Sequence, residues 1–409
     1  MPSAKQAGCH GRLAVWGARH FACSSDVESL VHAASATAVN RFADVNAVAA
    51  GFLRDLAYVQ TSEPKMFGYK RAASAVLALE EPLTNLIGPG RRLARRIPGI
   101  GPASERVILE VLDSGTSSTV DAAVAGSDRA PDIERRRGLR AHFLSRAEVL
   151  RILRDPRFDG PTRADYHGDF QMHSEWSDGT PSLGDIAEAC LARGYTHTAV
   201  TDHSHGLKIA GGMSMAEAAA QHEAIARLND QYEGRFRMIK GIEANIGADG
   251  RLDLSPDEAA CFELVLAAPH SKLRRSEDQT ARLLAAVATP GVHVLAHPRG
   301  RITGSRAGVV ADWDAVFAAA VTHGVAVEID GDPSRQDLDF SLAARALDAG
   351  CLFAIDSDAH TTSQLAYADT AIAHARLAGI PPDRIINCWP TERLLTWLSD
   401  RRSPGTCVN

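Results

Sequence analysis

The chain has 409 residues, 45% hydrophobic and 23% charged, the balance of a globular protein rather than a disordered, collagen-like or coiled-coil one. With 44 basic and 50 acidic residues the formal charge is −6, which excludes a nucleic-acid polycation and leaves only local basic patches. Six of the basic residues are lysines and the rest are arginines, the better fork for phosphate.

Residues 1–40 show no sustained period and are expected to be a poorly ordered extension, although the basic, acid-free stretch 12–25 also has the composition of a targeting peptide. Residues 41–115 read as a small all-α domain. Phe42, Val45, Val48, Phe52, Leu56 and Val59 recur at helical spacing, 69–79 is an alanine-rich second helix, and 86–112 predicts two more around a Pro-Gly break. Residues 116–164 are expected to be a linker, small and turn-prone at first and then a basic amphipathic helix over 135–154. From 165 to 400 the short apolar runs THTAV, FRMIKGI, ELVLAA, VHVLA, VAVEI and LFAID alternate with helical patterns that often end in glycine. Repeated strand-helix units imply an α/β fold with a parallel sheet, open or closed into a barrel.

Seven cysteines, at 9, 23, 190, 261, 351, 388 and 407, are odd in number and form no CxxC pair. They are expected to be buried or incidental thiols in a reducing cytoplasm, not a disulfide framework. No run of about eighteen apolar residues occurs, so no membrane partner is expected.

The chemistry sits at the ends of the apolar runs. Asp202-His203 follows THTAV, Glu243 follows FRMIKGI, His270 follows ELVLAA, His297 follows VHVLA, and Asp358 and His360 follow LFAID. Gln171, His173 and Asp178 precede the first helix of this region. In a parallel barrel all strand C-termini open on one face, which gathers five imidazoles and three carboxylates suited to Zn, Mn or Fe. One such residue alone is usually a structural histidine or a helix cap. Converged and unpaired, these charges would be costly to bury. The donors are too many for one zinc, which usually takes four, so two or three divalent ions are expected.

The motifs GDFQMHSEWSDG, AVTDHS, KGIEANI, APHS, LAHPRGR and SDAH resemble the PHP (polymerase and histidinol phosphatase) domain, and more closely the C-terminal PHP domain of bacterial family X DNA polymerases. DGRLDL and EIDGDPSRQDLD add to that resemblance. It covers about 165–395 and implies a distorted seven-stranded β/α barrel that hydrolyses phosphoesters at a trinuclear metal centre. The implied ligand set matches His173, Asp178, His203, Glu243, His270, His297, Asp358 and His360, with Gln171 where the family has histidine. It also implies an attacking hydroxide held by the metals at His173, Glu243 and Asp358. Asp202 is read as a supporting group or a helix N-cap rather than a ligand. Arg299, Arg301, Arg335 and Lys208 are candidate phosphate clamps or a solvated rim.

Residues 91–103, RRLARRIPGIGPA, resemble a helix-hairpin-helix, with Gly99 and Gly101 letting backbone N–H groups approach a DNA phosphate. About fifty residues separate the two regions, too few for a polymerase nucleotidyl-transferase domain. The expected protein is a metal-dependent phosphoesterase with a phosphate-ester substrate, acting on DNA 3′ ends as an exonuclease or 3′-phosphatase. The alternatives are a small-molecule phosphatase similar to histidinol phosphatase, and a non-catalytic DNA-binding module.

Overall fold

The computed structural model describes residues 44–90, 92–402 and 405–407. The expected extension 1–40, together with Phe42 and Arg91, lies outside the described residues.

The described residues open with helices Val45–Val59 and Glu63–Leu77. The buried stripe of the first is Ala49, Leu53 and Leu56, while Val48 of the expected face is 38% exposed. The helix expected at the start of 86–112 is not formed. A 3-10 turn, Leu83–Leu86, leads instead into an antiparallel hairpin of β1 (Ile87–Gly88) and β2 (Arg92–Leu93). Gly88, Pro89 and Gly90 in sequence disfavour a helix, and Gly90 turns the chain at φ +76°. The helix Pro102–Ser114 then forms and closes on Gly115 at φ +75°. These elements share one core that includes Leu53, Leu83, Ile108 and Val120.

The expected linker is a succession of helices, Ser118–Ala125, Ala130–Gly138 and Arg146–Arg154. Val120 and Ile133 are the single buried residues of the first two, so those helices carry no apolar stripe legible in sequence. Ion pairs and hydrogen bonds tie this layer on both sides. Arg137 Nε and Arg140 Nη2 hold Asp55 at 2.7 and 2.5 Å, and the Gln336 side chain exchanges bonds of 2.8 and 2.9 Å with the Leu144 backbone.

All six apolar runs become parallel strands: β3 (His197–Val200), β4 (Arg237–Asn245), β5 (Leu264–Ala268), β6 (Val294–Leu295), β7 (Ala326–Asp330) and β8 (Phe353–Asp356). Their spatial order follows the sequence, with helices between them. β3, β5, β7 and β8 are buried at every position, which explains their continuous apolar character. The fold is thus α/β, with a six-stranded parallel sheet curled into a half-barrel. The expected seventh strand is not assigned. The extended segment 168–173 lies between the two edges. Ala199 N and Thr201 N donate to Asp169 O and Met172 O at 3.0 and 2.9 Å, while His173 N donates to Ala359 O at 2.8 Å. Ile386, Trp389, Trp397 and Leu398 of the C-terminal segment pack on the small residues Ala199, Ala326 and Ala354.

One cysteine expectation is corrected: Cys261 and Cys407 form a disulfide across 146 residues. The C-terminal segment runs back along the helix Pro256–Ala259, where Thr406 N donates to Asp257 Oδ1 at 3.0 Å and brings the two thiols together. Cys190, Cys351 and Cys388 are free thiols, as expected. Among the described residues no helix is long and apolar enough to cross a membrane.

Candidate metal centre

The nine expected donors meet at the carboxyl edge of the curled sheet. Gln171 and His173 lie on the segment between β3 and β8, and His203, His270, His297, Asp358 and His360 follow β3, β5, β6 and β8. Asp178 sits on a turn that presses against His173. An added Cβ on Gly179 would stand 2.2 Å from the His173 carbonyl oxygen, so only glycine fits there. His297 and Asp358 have φ of +24° and +51°, a strained conformation for such side chains and one concentrated at functional positions.

Glu243 is fully buried and reaches a different set of groups with each oxygen. Its Oε2 is 2.8 Å from His203 Nδ1 and 3.6 Å from His173 Nε2. Its Oε1 is 2.8 Å from His297 Nε2, 3.3 Å from His270 Nε2 and 3.0 Å from the Gln171 amide nitrogen. Asp178 Oδ1 is a second focus, 3.5 Å from His203 Nε2, 3.4 Å from His360 Nε2 and 3.8 Å from His173 Nδ1. Asp358 Oδ1 lies 3.2 Å from His173 Nε2. Two groups that share His203, one with His173, Asp178 and His360 and the other with Glu243 and His270, each hold their donor atoms within 4.8 Å of one another.

The charges are strongly coupled. Burial opposes ionisation of Glu243, but His203 and His270 hold it well below the usual carboxylate range. Burial likewise opposes ionisation of Asp358, and Arg335 overrides it to keep the carboxyl low. Burial works against a charged His203, yet Glu243 and Asp178 push it up to about 10. His360 is pushed up to about 9 by Asp178 and Asp358 against its own burial. Protons on imidazoles thus neutralise the carboxylates when no other cation does.

The residues fit divalent metals. Gln171 Oε1, His173 Nδ1 and His297 Nδ1 are buried without a hydrogen-bond partner, and each can donate a lone pair. His270 Nδ1 lies 2.6 Å from Asn245 Oδ1, and His360 Nδ1 lies 2.9 Å from the Asp358 carbonyl oxygen. Those oxygens can only accept, so both Nδ1 atoms carry the proton and both Nε2 atoms are left to ligate. Replacing Gln171 by histidine is expected to raise metal affinity ~10-fold, measured by competition with a chelating dye. An unchanged affinity would show that the amide oxygen serves as well as an imidazole.

The expected phosphate cations divide. Arg335 Nη1 is 3.1 Å from Asp358 Oδ2, at the donor cluster. Arg301 is corrected: it is 4% exposed, donates to the Arg335, Gln336 and Ala141 carbonyl oxygens, and stacks on Phe143 at 4.0 Å. Arg299 is held by Asp339 at 2.8 Å, a carboxylate that Arg301 also contacts at 3.1 Å. Arg301 thus braces the half-barrel against the helical layer, while Arg299 is tied to Asp339 within the half-barrel. Lys208 is exposed on the 3-10 turn Lys208–Ala210. Gly99 and Gly101 are exposed, and Gly101 caps the helix Pro102–Ser114. The helix expected before them is absent, so the helix-hairpin-helix is not formed as read; Gly99 packs against Glu63–Leu77 instead.

Sequence reasoning missed the residues behind the donors. Glu328 accepts from His297 N at 2.5 Å, and Asp253 accepts from Asn245 Nδ2 at 2.6 Å, which fixes the group that orients His270. Asp253 belongs to the DGRLDL run, so that signal was present without its role. Asp202 accepts from Ser174 N at 2.8 Å and from Gln221 at 2.6 Å and does not join the donors.

No family model matches the chain. It is homologous to DNA polymerase/3'-5' exonuclease PolX of Bacillus subtilis, at 36% identity over 221 residues, 54% of this chain and 39% of that protein. It is also homologous to the probable phosphatase YcdX of Escherichia coli, at 29% identity over 248 residues, 58% of this chain and 95% of that one. The chain therefore spans well under half of the first relative and nearly all of the second. Histidinol phosphate phosphatase of Lactococcus lactis, solved with zinc, superposes with a TM-score of 0.37 at 14% identity, covering 51% of this chain and 92% of that one, too weakly to add to the sequence relation. The resemblance read from the motifs is borne out by the two homologues.

Proposed function

We propose that the chain is a metal-dependent phosphoesterase that binds two or three divalent ions, Mn, Zn or Fe, and acts on DNA 3′ ends. The observation that carries the reading is Glu243, whose two oxygens each face a separate set of nitrogen donors, so that it and they could together hold more than one cation. Gln171, His173, Asp178, His203, His270, His297, Asp358 and His360 would complete the coordination. Bound ions supply Lewis acidity to a phosphate ester and to an attacking water. The chain's own part is to orient and neutralise. Asn245 and the Asp358 carbonyl fix the tautomers of His270 and His360, and Arg335 keeps Asp358 ionised. Three carboxylates against one guanidinium leave a negative centre that divalent ions make positive, suited to a phosphate.

The DNA reading is supported by the exposed Lys272, Arg274 and Arg275 on the loop after His270, a basic rim that a polyanion can follow. The PolX homologue is named an exonuclease. The backbone contact at Gly99 and Gly101 is a weaker support without its first helix. A small-molecule phosphatase is the second reading, favoured by the phosphatase relative that this chain covers almost end to end. The test is to assay the Mn-, Zn- and Fe-loaded chain on labelled single-stranded DNA with 3′-hydroxyl or 3′-phosphate ends, beside p-nitrophenyl phosphate. DNA turnover that falls steeply with salt, and with Lys272, Arg274 and Arg275 all changed to alanine, while p-nitrophenyl phosphate turnover holds, supports the DNA reading. Hydrolysis of the small ester alone transfers the assignment to the second reading. Hydrolysis of neither overturns both.

A further inference from the structure

A cavity of about 540 Å3 lies away from the metal centre, between the helical layer and the barrel, and none of the nine donors lines it. Its walls combine Arg54, Arg140 and Arg146 with apolar groups including Leu77, Phe143 and Val149. Arg54, half-buried on the helix Val45–Val59, has no hydrogen bond or ion pair among the described residues. Arg140 and Arg146 are paired, at 2.5 Å to Asp55 and 2.7 Å to Asp369. Each of those carboxylates is shared with a second guanidinium, Arg137 at 2.7 Å and Arg163 at 2.6 Å; Arg137 also pairs with Glu134 at 3.5 Å, so the Asp55 cluster is balanced and the Asp369 cluster keeps an excess positive charge. The lining holds one carboxylate, Glu80, and it is exposed.

A guanidinium withdrawn from water beside like charge is costly unless an anion meets it. Burial pushes Arg54 below the usual arginine range, and Arg140 pushes it the same way. Three forks near one another suit the several oxygens of a phosphate better than one carboxylate. The apolar wall asks for a hydrophobic body on the same molecule. We propose that this cavity binds a small monosubstituted phosphate or phosphonate, with its anion on Arg54 between Arg140 and Arg146 and its apolar body against Leu77, Phe143 and Val149. The site is additional to the metal centre and takes no part in hydrolysis.

Phenylphosphonate tests this, because its carbon–phosphorus bond survives a phosphoesterase. Titrated calorimetrically into the metal-loaded full chain, it should bind at two sites, one at the metals and one in the cavity. Arg54→Met should remove one equivalent and leave p-nitrophenyl phosphate hydrolysis unchanged. Arg54→Lys should restore the equivalent with weaker affinity, and methylphosphonate, which lacks the ring, should bind the cavity at least about tenfold more weakly than phenylphosphonate. Ser74→Trp, at an exposed position in the lining, should block the same equivalent with every charge intact, and serves if Arg54→Met does not fold. If the metal centre takes no phosphonate, one equivalent remains in the wild type and is lost in Arg54→Met. Equal stoichiometry and affinity in the wild type and in whichever of Arg54→Met and Ser74→Trp folds would overturn the proposal.

Discussion

Replacing Glu243 with glutamine should lower phosphoester hydrolysis by a factor on the order of 10³ or more, a loss of roughly 4 kcal/mol of transition-state stabilisation. The substitution keeps the volume of the side chain and removes one charge from a fully buried position. Four histidines contact that carboxylate, so none can take over its place between the two donor groups. The amide offers one oxygen where the carboxylate offers two, and its NH2 would point at cations or imidazoles. Metal quantified per chain by plasma mass spectrometry should fall by at least one equivalent while circular dichroism stays unchanged. A variant with full metal content and full rate would remove Glu243 from the centre of the site.

Stripping the metals should lower the melting temperature by roughly 10 °C. An ion present at about a thousand times its Kd stabilises the folded state by about 4 kcal/mol, and each kcal/mol moves a domain of this size by about 2–4 °C. The pH dependence of the two forms should diverge. In the metal-free chain the neighbouring carboxylates push His203 up to about 10 and His360 up to about 9, above the ordinary value of about 6.5 for an unfolded histidine. Raised folded values contribute stability that is complete below pH of about 6.5 and is lost as pH rises through 9–10. Metals require the deprotonated imidazoles, so the loaded form gains with pH over the same window. Scanning calorimetry at pH 6 and pH 9 should find the gap between the two forms wider at pH 9. A gap that narrows would mean that these imidazoles do not ligate.

The parts of the molecule legible in sequence are those written locally. Each of the six apolar runs becomes a strand, and in β3, β5, β7 and β8 every residue is buried, which a continuous apolar run announces directly. The donors were legible because strand C-termini converge in any such sheet, whatever the loops do. The arginines were not. Arg299 and Arg301 stand beside the His297 motif in sequence, but their side chains answer to Asp339, about forty residues on, which no local pattern ties to them. The Cys261–Cys407 bond depends in the same way on where the last residues of the described chain turn back. The helices Ser118–Ala125 and Ala130–Gly138 bury one residue each, so composition read them as linker.

The segment 168–173, which hydrogen-bonds the first and last strands, also carries Gln171 and His173, while His203 and the pair Asp358 and His360 stand on the two edges it joins. The donors therefore straddle a seam, and ions held there would tie the segment to both edges of the half-barrel. Architecture and chemistry would then share the same fasteners. A substitution that retuned such ions would also loosen the seam, which would leave the rim, where Lys208 and the 271–275 loop stand clear of it, as the region free to change what the site accepts.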